Sequence, residues 1–465
     1  MTFLSQLSIH ADKAFLRRLF AIALPITLQS MMFSSRSLVD VLMLGQLGEA
    51  EIAAVGVAAR ATFVTTIMLV GVTTGGALLT AQYWGAGDKV GVRRSTALTW
   101  MIAMVFAAIA VALFVIFPQP VMKLTTDSQE VIELGASYLI ISSVSMFAVA
   151  CVASMSVGLR AMHQPGLSTF FSGIGILSNV FLNWVLIFGH LGFPALGITG
   201  AAIATVISGA IEVGCLFGYL WLKKHIIAFG WDDIRAGLVV DKITRFLSLS
   251  LPTTFNFLAW AGGLFAYHAI MGQAGVQGLA ALSVMTPVES IALAMMIGLS
   301  NAAAVLVGNQ LGAKNFEPVY YQAWATVILN VFIAFVVAVV LIVSNQWILN
   351  AFSALTADTR QLAEQFMVIL ALGVVLRSVP MMVIVGVLRA GVGVLRAGGD
   401  VKFCLYQDIL AQWVIGIPLA AFAAIQLGWD PQWVYLLFLT EEVVKWTICL
   451  PRMVSRKWMK NLIGQ

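Results

Sequence analysis

The chain reads as an all-α integral membrane protein with twelve transmembrane helices in two pseudo-symmetric six-helix bundles. Three observations predict this. Of the 465 residues, 60% are hydrophobic and only 10% are charged, against about 25% charged in soluble domains. The apolar residues come in runs of roughly 20 or more, the length that crosses a bilayer at about 1.5 Å per residue. The sequence also repeats itself. Shifted by about 227 residues, Pro25–Ala86 meets Pro252–Ala313 without a gap, with about 14 of some 62 positions identical.

Taken in order, the spans fall near 17–44, 52–82, 95–117, 133–158, 166–189 and 198–222, then 246–271, 279–309, 320–345, 361–388, 403–427 and 432–451. Within lipid each must close its own backbone hydrogen bonds, so each is a helix. A polar stretch with Lys223, Lys224, Asp232, Asp233 and Arg235 divides the halves. The expected organisation is a lobe at 1–223, a cytoplasmic linker at 224–245 and a lobe at 246–465. The repeat pairs Gly45-Gln46 with Gly272-Gln273, Gly71 with Gly298, and Gly85-Ala86 with Gly312-Ala313. Six spans separate the repeats, so both enter from one side and are related by an axis along the membrane normal.

Charge sets the orientation. Alternate loops collect the cations, from Lys13, Arg17 and Arg18 through Lys89, Arg93 and Arg94 to Arg452, Arg456 and Lys457, while the opposite loops hold only Lys123 and Arg360. By the positive-inside rule both termini are cytoplasmic, as an even number of spans requires. The expected location is the plasma membrane (the inner membrane in a bacterium). The net charge of +5 is thus a topology signal, and no nucleic-acid partner is expected. Residues 1–14 do not form a cleavable signal peptide, because Lys13, Arg17 and Arg18 lead into a span too long for a signal core. Cys151, Cys215, Cys404 and Cys449 lie in apolar runs without paired spacing and read as packing residues. No G-x-x-x-x-G-K-[ST] run and no H-E-x-x-H are present, so neither ATP-driven transport by this chain nor enzymatic function is expected.

Several motifs together resemble the multidrug and toxic compound extrusion (MATE) transporters over essentially the whole chain. They are the first span from Pro25 to Asp40 with Val41-Leu42-Met43-Leu44-Gly45, the second-span ending Ala81-Gln82-Tyr83-Trp84-Gly85-Ala86, and its partner Gly308-Asn309-Gln310-Leu311-Gly312-Ala313. The turn Leu395-Arg396-Ala397-Gly398-Gly399-Asp400 and the last-span pair Glu441 and Lys445 complete the set. The resemblance implies export of small organic substrates (drugs, dyes and toxic compounds, often cationic) by inward flow of H⁺ or Na⁺, with no cofactor and with membrane lipids as neighbours. A monomer is expected. Asp40 is similar to the first-helix acid of both NorM-type and DinF-type members, and Asn179-Val180-Phe181-Leu182-Asn183 looks NorM-like. The seventh span, Pro252 to Met271, has no carboxylate, and Ser378 stands roughly where NorM-like proteins have an Asp. The C-terminal half therefore departs from that pattern.

Asp40 is the leading ion-coupling candidate, because a carboxylate in a span is costly and usually faces a wet or protein interior. Burial favours its protonated form; Arg36, one turn earlier, would instead hold it ionised. Asn179 and Asn183 lie four apart on one helix face, where their amides can bind a carboxyl group or offer oxygen to Na⁺. A Na⁺ site at Asp40, Asn179 and Asn183 is one expectation, and interhelical hydrogen bonding is the other. Thr205 (or Thr199) could add a hydroxyl. Pro25 would serve as a hinge or as a fixed kink. Glu212, Glu289 and Asp408 are further buried acids, suited to a cationic substrate or to a polar partner such as Arg60 or Arg377. Glu441 and Lys445 form a structural i,i+4 pair. Tyr267 is the repeat counterpart of Asp40, with His268 beside it as a possible titrating group. Two other functions fit parts of this pattern. A flippase for lipid-linked oligosaccharides would use Arg36, Arg60 and Arg377 for a pyrophosphate, and a channel or binding protein would need no coupling ion.

Overall fold

A computed structural model describes residues 3–44, 47, 49–123, 128–350, 357–383, 385–386, 391–392 and 394–463. Nearly all of it is helix. In chain order the first half gives α1 (Phe3–His10), α2 (Lys13–Leu44), α3 (Glu49–Gly85), α4 (Lys89–Ile116), α5 (Pro118–Lys123), α6 (Gln129–Ser143), α7 (Ser145–Ala161), α8 (Pro165–Phe188) and α9 (Gly197–Leu222). A short α10 (Trp231–Gly237) leads to α11 (Val240–Ala274), α12 (Val276–Gly312), α13 (Phe316–Val343), α14 (Asn345–Asn350) and α15 (Ala357–Val383). After α16 (Val394–Ala397), α17 (Val401–Asp408) continues as a π-helix over Ile409–Gly416, then α18 (Ile417–Ala421) and a second π segment, Phe422–Gln426. The chain closes with α19 (Pro431–Leu437) and α20 (Thr440–Val454).

Among the described residues, nine helices are long and apolar enough to cross a membrane, and a bent pair makes a tenth. The other two expected spans fall on helices that are diluted by polar groups. Ser248, Ser250, Thr253, Thr254 and Asn256 interrupt the apolar run of α11, while the last span breaks between α19 and α20 and carries Glu441, Glu442 and Lys445. The bent pair is α6 with α7, turned by 40° at Val144. No proline causes it. Ser143 Oγ donates to the Ile140 carbonyl at 2.8 Å and Ser145 Oγ to the Ser142 carbonyl at 2.7 Å, local bonds that compete with the helix ladder.

The duplication is visible in the helix bounds. Moved by the offset of about 227, α3 lands on α12, α4 on α13 and α5 on α14, residue for residue at both ends. The chain clusters into two compact units, Leu28–Thr254 and Met1–Thr27 with Phe255–Gln465. Each boundary lies two residues beyond an internal proline, Pro25 in α2 and Pro252 in α11.

Within each unit the start of a proline-bearing helix packs on a glycine of a long span. In one, a Cβ at Gly71 of α3 would lie 2.5 Å from Thr254 Cα. In the other, a Cβ at Gly298 of α12 would lie 2.6 Å from the Ala23 carbonyl oxygen and would strike Thr27 Oγ1. These are repeat mates, since the same offset carries Gly71 to Gly298 and Thr27 to Thr254. Met285, Leu293, Met296, Phe366 and Met367 form the core of one unit, and Met155, Leu159, Leu216 and Leu220 that of the other. Asp233 fastens α10 by accepting from Gly230 N at 3.1 Å and pairing with Arg93 Nε at 2.8 Å.

The tenth span, expected over 361–388, is helical only to Val383. Beyond it Val385 and Gly386 pair antiparallel with Val392 and Gly391. This stretch holds a heptapeptide written twice in succession, Val-Gly-Val-Leu-Arg-Ala-Gly at 385–391 and again at 392–398. Because Val385 and Val392 are ladder partners, with Cα atoms about 5 Å apart, the ends of the extra copy already meet. Deleting residues 385–391 is therefore expected to leave folded yield and melting temperature in detergent close to wild type. A collapse of the folded yield would show that both copies are needed.

Candidate functional site

In the first half α8 presents Asn179 and Asn183 one turn apart, both buried. Asn183 Nδ2 donates to Asn179 Oδ1 at 3.4 Å. Asn179 Nδ2 is buried and has no hydrogen-bond acceptor among the described residues. Thr205 Oγ1 donates to the Ala201 carbonyl of its own helix at 3.0 Å, so that bond does not bring it to the asparagines. Arg36 and Asp40 lie on α2, but the side chains of residues 34–42 fall outside the described set. The helix is continuous through Pro25.

Glu212 belongs to a chain of four polar side chains on four helices. Arg160 of α7 donates to Gln29 Oε1 at 3.0 Å, Gln29 Nε2 to Ser172 Oγ at 3.0 Å, and Ser172 Oγ to Glu212 Oε1 at 2.8 Å. The second half repeats the arrangement. Arg396 donates to Asn256 Oδ1, and Asn256 Nδ2 donates to Asp408 Oδ2 at 2.6 Å. Asn256 is the counterpart of Gln29 at the same offset of about 227, and Leu395-Arg396-Ala397 matches Leu159-Arg160-Ala161. The left-handed residues that follow match too, His163 at φ 61° and Gly399 at φ 83°. That shared Leu-Arg-Ala triplet is the signal that could have exposed these twin clamps in the sequence.

A larger network fills the interior of the second half. Arg377 of α15 pairs with Glu289 of α12, and its Nε lies 3.3 Å from Glu442 Oε1. Of the two guanidinium groups offered as partners for Glu289, Arg377 is the one in contact; Arg60 is exposed. Lys445 Nζ stands 3.6 Å from Asp408, 3.7 Å from Glu441 and 4.0 Å from Glu442. Arg396 Nη2 lies 3.8 Å from Asp408 Oδ2. Tyr267 Oη donates to Glu441 Oε2 at 2.9 Å, so the Asp40 counterpart meets a carboxylate of the last span. His268 bonds through Nδ1 to the Leu264 carbonyl of its own helix at 2.8 Å. The second half thus holds an acidic cluster built from the eighth, eleventh and last spans, not from the seventh and tenth. At the end of α20, Asp400 accepts from Arg452 Nε at 2.6 Å and Nη2 at 3.1 Å, and this bonding holds the guanidinium above its ordinary pKa.

The MatE family model matches residues 25–185 and 252–422. The probable multidrug resistance protein NorM of Rhizobium meliloti is 26% identical over 396 residues, 84% of this chain and 82% of that protein. The uncharacterized transporter YisQ of Bacillus subtilis is 24% identical over 97% of this chain and 96% of its own length. A crystal structure of the Vibrio cholerae MATE transporter VcmN in the bent form matches with TM-score 0.84 at 19% identity, over 98% of this chain and 100% of that one. The two matched stretches take up most of the chain and begin at the paired prolines Pro25 and Pro252; the chain belongs to the MatE family of membrane transporters.

Proposed function

We propose that the protein is a secondary active exporter of organic, often cationic, compounds, driven by H⁺ or Na⁺ antiport with alternating access. Family membership together with the names of its multidrug-resistance relatives supports the substrate class. The observation that carries the coupling site is the buried Asn179 amide, whose Nδ2 has no acceptor among the described residues. A buried donor of that kind costs free energy unless a partner arrives. A carboxyl group supplies one, and Asp40 is the acid of the first span. The ion therefore binds around Asp40, Asn179 and Asn183, with Thr205 at its edge, and the α2 helix bends at Pro25. The lobes at 1–223 and 246–465, joined by 224–245, alternate access between them, and both termini are cytoplasmic. The boundary of a compact unit two residues past Pro25 supports the hinge. Arg377, counted above toward a pyrophosphate site, is occupied by two carboxylates, which weighs against the flippase.

The test is efflux of a fluorescent organic cation from proteoliposomes under separately imposed proton and sodium gradients. Wild type is expected to export under one gradient, and Asp40→Asn to lose that coupled efflux at least about tenfold, the loss of one interaction worth about 1.4 kcal/mol or more. Equal efflux from the two proteins would remove Asp40 from the mechanism. Absence of efflux under either gradient would favour the flippase.

A further inference from the structure

The network inside the second half does not balance its own charge. Among the described residues, four carboxylates, Glu289, Asp408, Glu441 and Glu442, are linked to three cations, Arg377, Arg396 and Lys445. Fully ionised, it would carry one uncompensated negative charge in a membrane interior, which is costly. Among the described residues, the other titratable groups that feel it include the phenols of Tyr267 and Tyr435 and the thiols of Cys404 and Cys449, none of which offers a positive charge. We propose that this network holds one exchangeable proton, at Glu441, as a second proton site separate from Asp40.

The geometry singles out Glu441. Glu289 and Glu442 share Arg377. Asp408 lies between Lys445 and Arg396 and accepts from Asn256. Among the described residues Glu441 has one ion-pair partner, Lys445 at 3.7 Å, which it shares with two other carboxylates, and a neutral phenol, Tyr267 Oη, at 2.9 Å. A phenol suits both states. It donates to the carboxylate, and it accepts from the carboxylic acid once a proton from water has joined Glu441. Room for that phenol comes from Gly416, where a Cβ would lie 2.5 Å from Tyr267 Oη and 3.4 Å from Glu441 Cβ. Gly416 ends the π-helical stretch Ile409–Gly416, a geometry that recurs at functional sites. Among the described residues no three His, Cys, Asp or Glu side chains converge as a metal site requires. Its use in driving transport rests on the exporter reading above; its existence does not.

The measurement is a pH-difference infrared spectrum of the purified full-length protein, read at the carboxylic-acid C=O band. Wild type is expected to show a band that disappears in Glu441→Gln, shifts in Tyr267→Phe and survives in Asp40→Asn. Persistence of every carboxylic-acid band in Glu441→Gln would overturn the proposal, as would a wild-type spectrum whose only such band is lost in Asp40→Asn. If Glu441→Gln fails to fold, an unshifted spectrum in Tyr267→Phe overturns it as well. Failure of Asp40-dependent efflux would instead strike the exporter reading and leave this band untouched.

Discussion

Gly298→Val is expected to reduce folded, transport-competent protein at least tenfold. The first added carbon would lie 2.6 Å from the Ala23 carbonyl oxygen, a backbone atom that cannot rotate away, and would also strike Thr27. Overpacking of this kind costs about 1–3 kcal/mol or more, and each 1.4 kcal/mol is about a factor of ten. Gly71→Val should behave the same way, because its contact is Thr254 Cα at 2.5 Å. Gly218 is the control. It sits inside α9 with nothing within 4 Å of an added Cβ, so Gly218→Ala should be neutral or stabilise by up to about 1 kcal/mol. Size-exclusion profiles and thermal scans in detergent, followed by efflux in proteoliposomes, separate the three. Wild-type behaviour of Gly298→Val would mean that α2 and α12 do not cross at that glycine.

Lys445→Met is expected to destabilise the protein by about 3–5 kcal/mol, the usual cost of removing one member of a buried ion pair. Lys445 faces three carboxylates, at 3.6, 3.7 and 4.0 Å, and its loss leaves their charges crowded together away from water. Adding Glu441→Gln fixes one of the three as a neutral group whatever its proton occupancy and should recover part of the loss, a coupling of about 0.5–3 kcal/mol between neighbours in one network. Thermal melts of both single variants and the double variant supply the cycle. Additive losses would show that Lys445 and Glu441 act independently.

Much of the architecture was legible because bilayer physics leaves few choices. Apolar runs had to be helices, and the constant offset that paired Pro25 with Pro252 also fixed the shared bounds of α3 with α12 and of α4 with α13. The bend at Val144 was not legible, since it rests on serine hydroxyls and not on a proline. Nor were the π turns of the eleventh span, which leave no mark in hydropathy. For the site, periodicity placed Asn179 and Asn183 on one face because both belong to one helix. It could not gather Tyr267, Glu289, Arg377, Asp408 and Lys445, because they sit on five different helices and only tertiary packing decides which helices meet. Glu441 and Lys445 were read as a local pair; the structure makes Lys445 the centre of a wider network.

The doubled heptapeptide has a consequence at the level of the gene. Where its codons are alike as well, a tandem repeat of seven residues is a substrate for strand slippage during replication, which adds or removes one whole copy without disturbing the reading frame. Lineages of this protein should therefore differ in copy number at this point. Arg389 and Arg396 stand at the same place in successive copies, yet Arg396 is the buried partner of Asn256. An alignment that sets a single-copy relative against the first copy would assign the clamp to Arg389, seven residues from the arginine that forms it.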